Sequence, residues 1–165
     1  MNSTTILPND PKVLQACAYL DAHGLTGKVI KSLLKQTTEG VTVKSFERDE
    51  TVFSRASYDK ALGVVVAGTL VSHKTVAGGD LSLRNLEAGD IFGLAGLFGS
   101  TPNYVSTIYA KTEAIVVFFS EEFLTTLFRE YPESAIAYIE LLSQKIRYLN
   151  AKIDSFATPN AYTKL

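Results

Sequence analysis

Residues 89–100, GDIFGLAGLFGS, place four glycines among bulky apolar side chains within twelve positions. Glycine lets a backbone bend sharply and lets its N–H groups approach a ligand, which is how many loops hold a phosphate group. The apolar residues between the glycines are instead typical of a segment that packs into a protein core. The stretch is therefore either a phosphate-binding loop or a loop of that shape adapted to a different ligand.

Short strand-like segments surround this stretch between Gly40 and Ser120. The runs VTVKSF (41–46), LGVVVAGTLVSHKTV (62–76) and AIVVFF (114–119) are rich in β-branched and aromatic residues, which favour strands. Gly78-Gly79 is typical of a hairpin turn between two of the segments. Because no helical pattern separates these strands, they predict an antiparallel jelly roll rather than a parallel sheet.

Helical patterns flank the strands on both sides. Asp10-Pro11 predicts the start of an N-terminal helix, and a second short helix is predicted over residues 28–36. Ser120 is expected to cap a helix over residues 121–131, and Pro132 to begin a longer helix that reaches Phe156. The predicted fold class is mainly β with flanking helices, an antiparallel double-stranded β-helix (jelly roll) followed by a long C-terminal helix.

The long helix carries an apolar pattern whose spacings alternate between four and three residues. Such an unbroken a/d seam is typical of a left-handed coiled coil, so we expect a parallel homodimer along this helix. A second apolar set, expected to pack against the strands, consists of Ile136, Tyr138, Leu141 and Tyr148. The alternative is that the whole apolar band lies on the β domain. The seam residues, which form the predicted dimer interface, are Ala135, Ile139, Leu142, Ile146, Leu149, Ile153 and Phe156.

The composition excludes several classes of function. The 165 residues include 16 basic and 17 acidic side chains, a net charge of −1 that argues against a nucleic-acid-binding surface on this stretch. The N-terminus shows no signal peptide, and the uncharged apolar run 61–73 is too short to span a bilayer. The sequence therefore predicts a cytoplasmic protein with no membrane partner.

Residues that could carry catalysis or hold a metal are few. Cys17 is the single cysteine, which excludes a four-cysteine metal site, and its apolar surroundings predict a core side chain. His23 and His73 are the only histidines, and His73 is expected to be solvated or hydrogen-bonded within a strand. We therefore predict no catalytic residues, no metal and no cofactor, and a cupin-like enzyme is disfavoured.

The order and spacing of these elements closely resemble the sensor half of the Crp/Fnr (catabolite-activator-like) transcription factors, from about Val41 to Ala157. VVVAGTL (64–70) resembles the strand-Gly-strand element of that family, at Gly68, and NLEAGDIFGLAGLFG (85–99) resembles its glycine-rich segment. AKTEAIVVFFSEEFLTTLFREYP (110–132) resembles its last strand and short helix. The resemblance implies a cyclic-nucleotide-binding-like sensor domain over residues 1–131 and a coiled-coil dimerisation helix over residues 132–157.

In members that bind cyclic AMP, the glycine-rich segment and the turn after it form a phosphate-binding cassette. A glutamate there holds the ribose 2′-hydroxyl group, and an arginine and a serine hold the phosphate. Aligned without gaps, these three positions fall on Leu94, Tyr104 and Val105. Because a buried phosphate without an arginine has no opposing charge, we predict that cyclic AMP does not bind.

The resemblance also implies where an effector pocket would lie. The two positions on the dimerisation helix that contact the base fall on Leu149 and Asn150. This lining is apolar with two or three polar groups and suits a small, largely hydrophobic or aromatic effector; alternatively, the side chains fill the space and no effector exists. The expected pocket residues are Gly93, Leu94, Ala95, Gly96, Tyr104, Val105, Leu149 and Asn150.

The expected function is therefore the effector-sensing and dimerisation domain of a Crp/Fnr-type bacterial transcriptional regulator, and not an enzyme. Family members continue into a winged helix-turn-helix, and residues 158–165 are interpreted as a hinge toward such a domain, which this chain lacks. DNA would be a partner only through that domain, which we expect in a longer protein. The alternative is a stand-alone small-molecule-binding or interaction module without a DNA role.

Overall fold

Two four-stranded antiparallel sheets face each other in the computed structural model, which describes residues 6–54, 59–76, 79–99 and 106–157, with backbone only for residues 75–76, 79–83 and 155–157. The first sheet has the order β1-β8-β3-β6 and the second the order β2-β7-β4-β5. The predicted antiparallel jelly roll is confirmed. The strands are β1 (Val41–Phe46), β2 (Thr51–Phe53), β3 (Ala61–Ala67), β4 (Leu70–Val76), β5 (Gly79–Leu86), β6 (Ile91–Phe92), β7 (Thr107–Ala110) and β8 (Ala114–Ser120).

Four α-helices flank the sheets: α1 (Pro11–Ala22), α2 (Gly27–Leu34), α3 (Glu121–Glu130) and α4 (Pro132–Ala157). The predicted starts of α1, α3 and α4 are confirmed, α2 begins one residue earlier than predicted, and side-chain caps explain the starts of α1 and α3. The Asp10 carboxylate accepts a hydrogen bond from the Lys12 N–H at 2.8 Å, and the Ser120 hydroxyl oxygen accepts one from the Phe123 N–H at 3.1 Å. Each side chain satisfies a backbone donor that the first turn of a helix leaves without a partner.

The first sheet is buried on both faces, which explains the continuous apolar runs of β3 and β8. Val64 and Phe119 point toward the helices, whereas Val65 and Phe118 point toward the second sheet. Side chains alternate between the two faces of a strand, so a strand covered on both sides needs apolar residues at every position. Cys17, on α1, is fully buried in the helix-side cluster, as predicted, and burial raises its pKa to about 11.

The tight turn between β3 and β4 depends on Gly68. Its φ angle is +79°, and a Cβ atom added there would lie 2.1 Å from the carbonyl oxygen of Glu113. Only a glycine tolerates both the left-handed backbone and this close approach. The β4–β5 hairpin forms with Val76 opposite Gly79; the turn expected between them includes Gly78, which lies outside the described residues.

Candidate functional site

A cavity of about 260 Å³ lies where the second sheet, the glycine-rich loop and α4 meet. Its wall is mostly apolar, with three polar side chains from β4, β5 and α4. Strands from both sheets contribute to it, so the jelly roll itself sets its shape. The described residues that line it are Ser72, Arg84, Leu86, Ile91, Phe92, Gly93, Leu94, Ala95, Ile108 and Lys145.

The glycine-rich loop bends into the cavity at Gly93, whose φ angle is +88°. A Cβ atom at this position would lie 2.4 Å from the carbonyl oxygen of Ala61 on β3. The bend leads into a single 3₁₀ turn, Leu94–Gly96, in which the Gly96 N–H donates to the Gly93 carbonyl oxygen at 3.2 Å. The loop therefore has the sharp bend that its glycines predict, and the Leu94 side chain is buried.

Tyr138 on α4 connects this loop to the long helix. Its hydroxyl group donates to the Leu94 carbonyl oxygen at 2.5 Å, and its ring packs against Phe98 and Phe128 with ring centroids 5.7 and 5.5 Å apart. Burial of the hydroxyl group raises its pKa to about 12. One side chain thus joins the cavity loop, α3 and α4.

We expect Tyr138→Phe to lower the free energy of unfolding by about 1–2 kcal/mol, because the buried Leu94 carbonyl oxygen loses its donor while the ring packing is kept. Chemical denaturation followed by circular dichroism measures the change. Tyr148→Phe is the matched control, since Tyr148 is exposed on the same helix and should lose almost nothing. Equal stability of the native protein and Tyr138→Phe would contradict the role given to this hydroxyl group.

Two cations, Arg84 and Lys145, lie at the polar side of the cavity, and the Asp90 carboxylate pairs with one of them. Arg84 Nη2 pairs with Asp90 Oδ1 at 2.5 Å, while Asp90 Oδ2 accepts a hydrogen bond from the Glu87 N–H at 2.8 Å. Lys145 is half-buried, and its pKa is lowered by desolvation and by the positive charge of Arg84, against an opposing effect of Asp90. The site therefore holds more positive than negative charge among these three side chains.

The structure brings together some of the predicted pocket residues. Gly93, Leu94 and Ala95 line the cavity, whereas Gly96 lies in the same turn but not among the described lining residues. Tyr104 and Val105 lie outside the described residues. On α4, Leu149 and Asn150 are exposed in the single chain, so their place in a pocket stays a prediction; the helix residue in the described lining is Lys145, one turn earlier.

Sequence reasoning missed the two cations of the lining, although both fit simple periodic patterns. Arg84 precedes the buried Leu86 by two positions on β5, a spacing that keeps both side chains on one face of a strand. Lys145 follows the buried Tyr138 and Leu141 by seven and four positions, which is the spacing of one helix face. The described lining therefore carries positive charge that the expected set of pocket residues does not include.

The outer face of α4 exposes a row of large apolar side chains. Ile139, Ile146, Leu149 and Ile153 of the predicted seam are each more than half exposed, which contradicts the alternative that the whole band lies on the β domain. Ala135 and Leu142 are partly buried, and the Phe156 side chain lies outside the described residues.

Only part of the second apolar set of α4 is buried. Tyr138 and Leu141 are buried, as expected, but Ile136 and Tyr148 are exposed, and the expectation that they pack against the strands is wrong. Ile136 lies in a covered turn but on its outer face, between the buried Ser134 and Tyr138, whereas Tyr148 lies beyond the covered turns. From Ile146 to Asp154, every residue of α4 is exposed.

The described part of the chain offers little for metal chemistry. No group of three histidine, cysteine, aspartate or glutamate side chains within it could hold a metal ion. His73 packs edge-on against Tyr109 in the second sheet, and His23 Nε2 lies 2.9 Å from the Gly89 carbonyl oxygen.

None of the helices in the described ranges is both long enough and apolar enough to cross a membrane.

A family model described as the cyclic nucleotide-binding domain matches residues 43–131, which is more than half of the chain. None of the curated proteins compared with the chain matches it. The matched segment contains both sheets almost completely and the whole glycine-rich loop.

Solved structures with the same fold include sensor domains of transcriptional regulators. The sensor domain of the regulator DNR from Pseudomonas aeruginosa superposes with a TM-score of 0.66 at 19% identity, covering 78% of this chain and 91% of that one. A cyclic nucleotide-binding domain from Methylobacillus flagellatus superposes with a TM-score of 0.69 at 12% identity, covering 90% of this chain and 88% of that one. The Thermus thermophilus catabolite activator protein superposes with a TM-score of 0.65 at 20% identity, and the match covers 82% of this chain but only 62% of that protein. The resemblance found in the sequence is confirmed at the level of the fold.

Proposed function

The chain belongs to the cyclic nucleotide-binding domain family, and on this premise we propose that it is the effector-sensing and dimerisation domain of a Crp/Fnr-type bacterial transcriptional regulator. The observation that carries the proposal is the position of the cavity, whose wall includes both the jelly roll and Lys145 of α4. A ligand bound there would contact the helix directly and the loop that Tyr138 ties to it. The proposed role is regulatory rather than catalytic.

The exposed row on α4 supports the second half of the proposal, a parallel homodimer. Burying a large aliphatic side chain contributes roughly 1.5–3 kcal/mol, and four seam residues are exposed in the single chain. Their heptad spacing matches the packing of two parallel helices. The proposal thus divides the chain into a sensor domain (1–131), a dimerisation helix (132–157) and a hinge (158–165), the last lying outside the described residues.

In this proposal, ligand binding acts through the angle between the two long helices. A ligand that binds one arrangement of loop and α4 better than another shifts the population toward that arrangement. The shift would re-aim two winged helix-turn-helix domains relative to half-sites one helical turn apart on DNA. Such a regulator acts in the bacterial cytoplasm.

We expect no binding of cyclic AMP with micromolar affinity. Leu94 stands where cyclic-AMP-binding members have the glutamate for the ribose, and no acidic side chain is among the described lining residues. Isothermal titration calorimetry measures the dissociation constant of cyclic AMP, with a catabolite activator protein titrated alongside as the positive control. A micromolar dissociation constant for the native chain would contradict the proposed change of effector.

The gene sequence downstream of Leu165 tests the DNA-related part of the proposal. A winged helix-turn-helix in the same reading frame is the expected result. A stop codon would instead favour a stand-alone small-molecule-binding module, while leaving the cavity and the dimer helix as proposed.

A further inference from the structure

We infer that the cavity takes a small organic anion, with one carboxylate or phosphate group on a compact apolar body, and that Arg84 and Lys145 hold the anionic group. This inference rests on the proposed function, because it names the class of effector for the same cavity. It places the cationic anchor on β5 and α4 instead of on the turn that follows the glycine-rich loop.

The charges at the cavity support an anionic ligand. Arg84 and Lys145 both line it, and Asp90, the carboxylate of this cluster, is already paired with Arg84. Lys145 forms no ion pair with any residue in the described part of the chain. Arg84, Asp90 and Lys145 together carry one excess positive charge, which a singly charged anion between the two cations would balance. Because Lys145 is half-buried, its attraction to an anion is stronger than the same pairing in water.

Arg84 is held in position before any ligand arrives. Its Nη2 atom pairs with Asp90, and its Nε atom donates to the Asn85 carbonyl oxygen at 3.4 Å. Asp90 is fixed in turn by the Glu87 N–H. A guanidinium group carries five donors in one plane, so these contacts leave donor capacity for a second oxyanion. A preorganised donor loses little conformational entropy on binding.

The remaining wall determines the body of the ligand. Leu86, Phe92, Leu94 and Ile108 supply apolar surface, and the Ser72 hydroxyl group, which donates to the Ser106 hydroxyl oxygen at 3.0 Å, supplies one polar contact. The volume of about 260 Å³ lies just below the range of roughly 300–1,000 Å³ for sites that hold drug-sized ligands. The cavity therefore suits a compact apolar or aromatic group better than a sugar with several hydroxyl groups.

Calorimetric titration with three probes tests the inference: phenyl phosphate, benzoate and the neutral benzyl alcohol. We expect at least one of the two anions to bind at least tenfold more tightly than benzyl alcohol, and the better one identifies the anionic group. Lys145→Met and Arg84→Gln should each weaken anion binding at least tenfold and leave benzyl alcohol binding nearly unchanged. Lys152→Met is the matched control, since it removes the same charge from an exposed position on the same helix.

A nuclear magnetic resonance titration of ¹³C-methylated lysines gives a second readout. The bound anion should raise the pKa of Lys145, and the signal of the exposed Lys152 serves as the control. Circular dichroism of each variant checks that the fold is intact.

Two results would overturn the inference: neither anion binds more tightly than benzyl alcohol, or anion binding in Lys145→Met and Arg84→Gln equals that of the native protein. Sedimentation separates these results from failure of the proposed function. If the native protein is a dimer and either result is found, the sensor proposal stands and the anionic effector is ruled out. If the native protein is a monomer that binds the anion through both cations, the proposed dimerisation is ruled out and this inference stands.

Discussion

Ile146→Asp combined with Leu149→Asp yields a monomer in sedimentation velocity at concentrations where the native chain is a dimer. This is the largest effect that we expect from any substitution in the chain. Both side chains are exposed in the single chain, at 58% and 56%, so aspartate there leaves the jelly roll and its contact with α4 intact. In a parallel dimer each of the two positions lies opposite the same position of the partner helix. The double variant therefore brings four carboxylates into the seam. Each buried, unpaired charge costs several kcal/mol, and the variant also removes two large aliphatic side chains from each helix of the seam.

A matched control uses the opposite face of the same helix. Gln144→Asp combined with Ala151→Asp also adds two carboxylates at exposed positions, but outside the seam. We expect this variant to sediment as the native dimer does. A native chain that is monomeric at high concentration, or a seam variant that stays dimeric, would contradict the proposed dimer.

Gly68→Ala is expected to lower the free energy of unfolding by about 3 kcal/mol. Two costs add. The left-handed φ angle of +79° is unfavourable for alanine by roughly 1–2 kcal/mol. The new Cβ atom would also lie 2.1 Å from the Glu113 carbonyl oxygen and 2.7 Å from the Ala114 Cα atom, so the backbone at the start of β8 must move. For a chain of this length the loss corresponds to a fall in Tm of about 10 °C, which differential scanning calorimetry measures.

Gly24→Ala separates the two costs. Gly24 has nearly the same φ angle, +80°, but nothing lies within 4 Å of an added Cβ atom. This variant should lose only the conformational part, about 1 kcal/mol. Equal losses in the two variants would show that the contact with β8 relaxes without cost, and would contradict the steric argument for Gly68.

The sequence predicted the fold well in segments whose residue pattern follows from one physical cause, such as burial on both faces or the capping of a helix. The uninterrupted apolar runs of β3 and β8 follow from burial on both faces, and Asp10 and Ser120 mark helix starts through their caps. These signals are local, so they can be detected without knowing the partners of each segment. The long helix was equally visible, because its heptad spacing extends from Ala135 to Phe156.

The site was harder to predict, because its chemistry depends on which strands and helices meet. Alignment with a known cassette indicated Gly93 and Leu94, which line the cavity, and also Leu149 and Asn150, which are exposed in the single chain. Arg84 and Lys145 are separated by more than sixty positions, and only the packing of β5 near α4 brings them together. Ile136 and Tyr148 show the same limit: their apolar character predicts burial, but the neighbouring elements do not reach them.

The hydrogen bond from Tyr138 to the Leu94 carbonyl oxygen has a consequence for the direction in which information flows. Linkage between two equilibria is reciprocal, so a bond that lets the loop bias the helix also lets the helix bias the loop. If the proposed function holds, a partner that fixes the orientation of α4, operator DNA included, would therefore change the affinity of the cavity for its ligand. In that proposal, the fraction of sensor with ligand bound would depend on whether the protein is bound to DNA as well as on the ligand concentration.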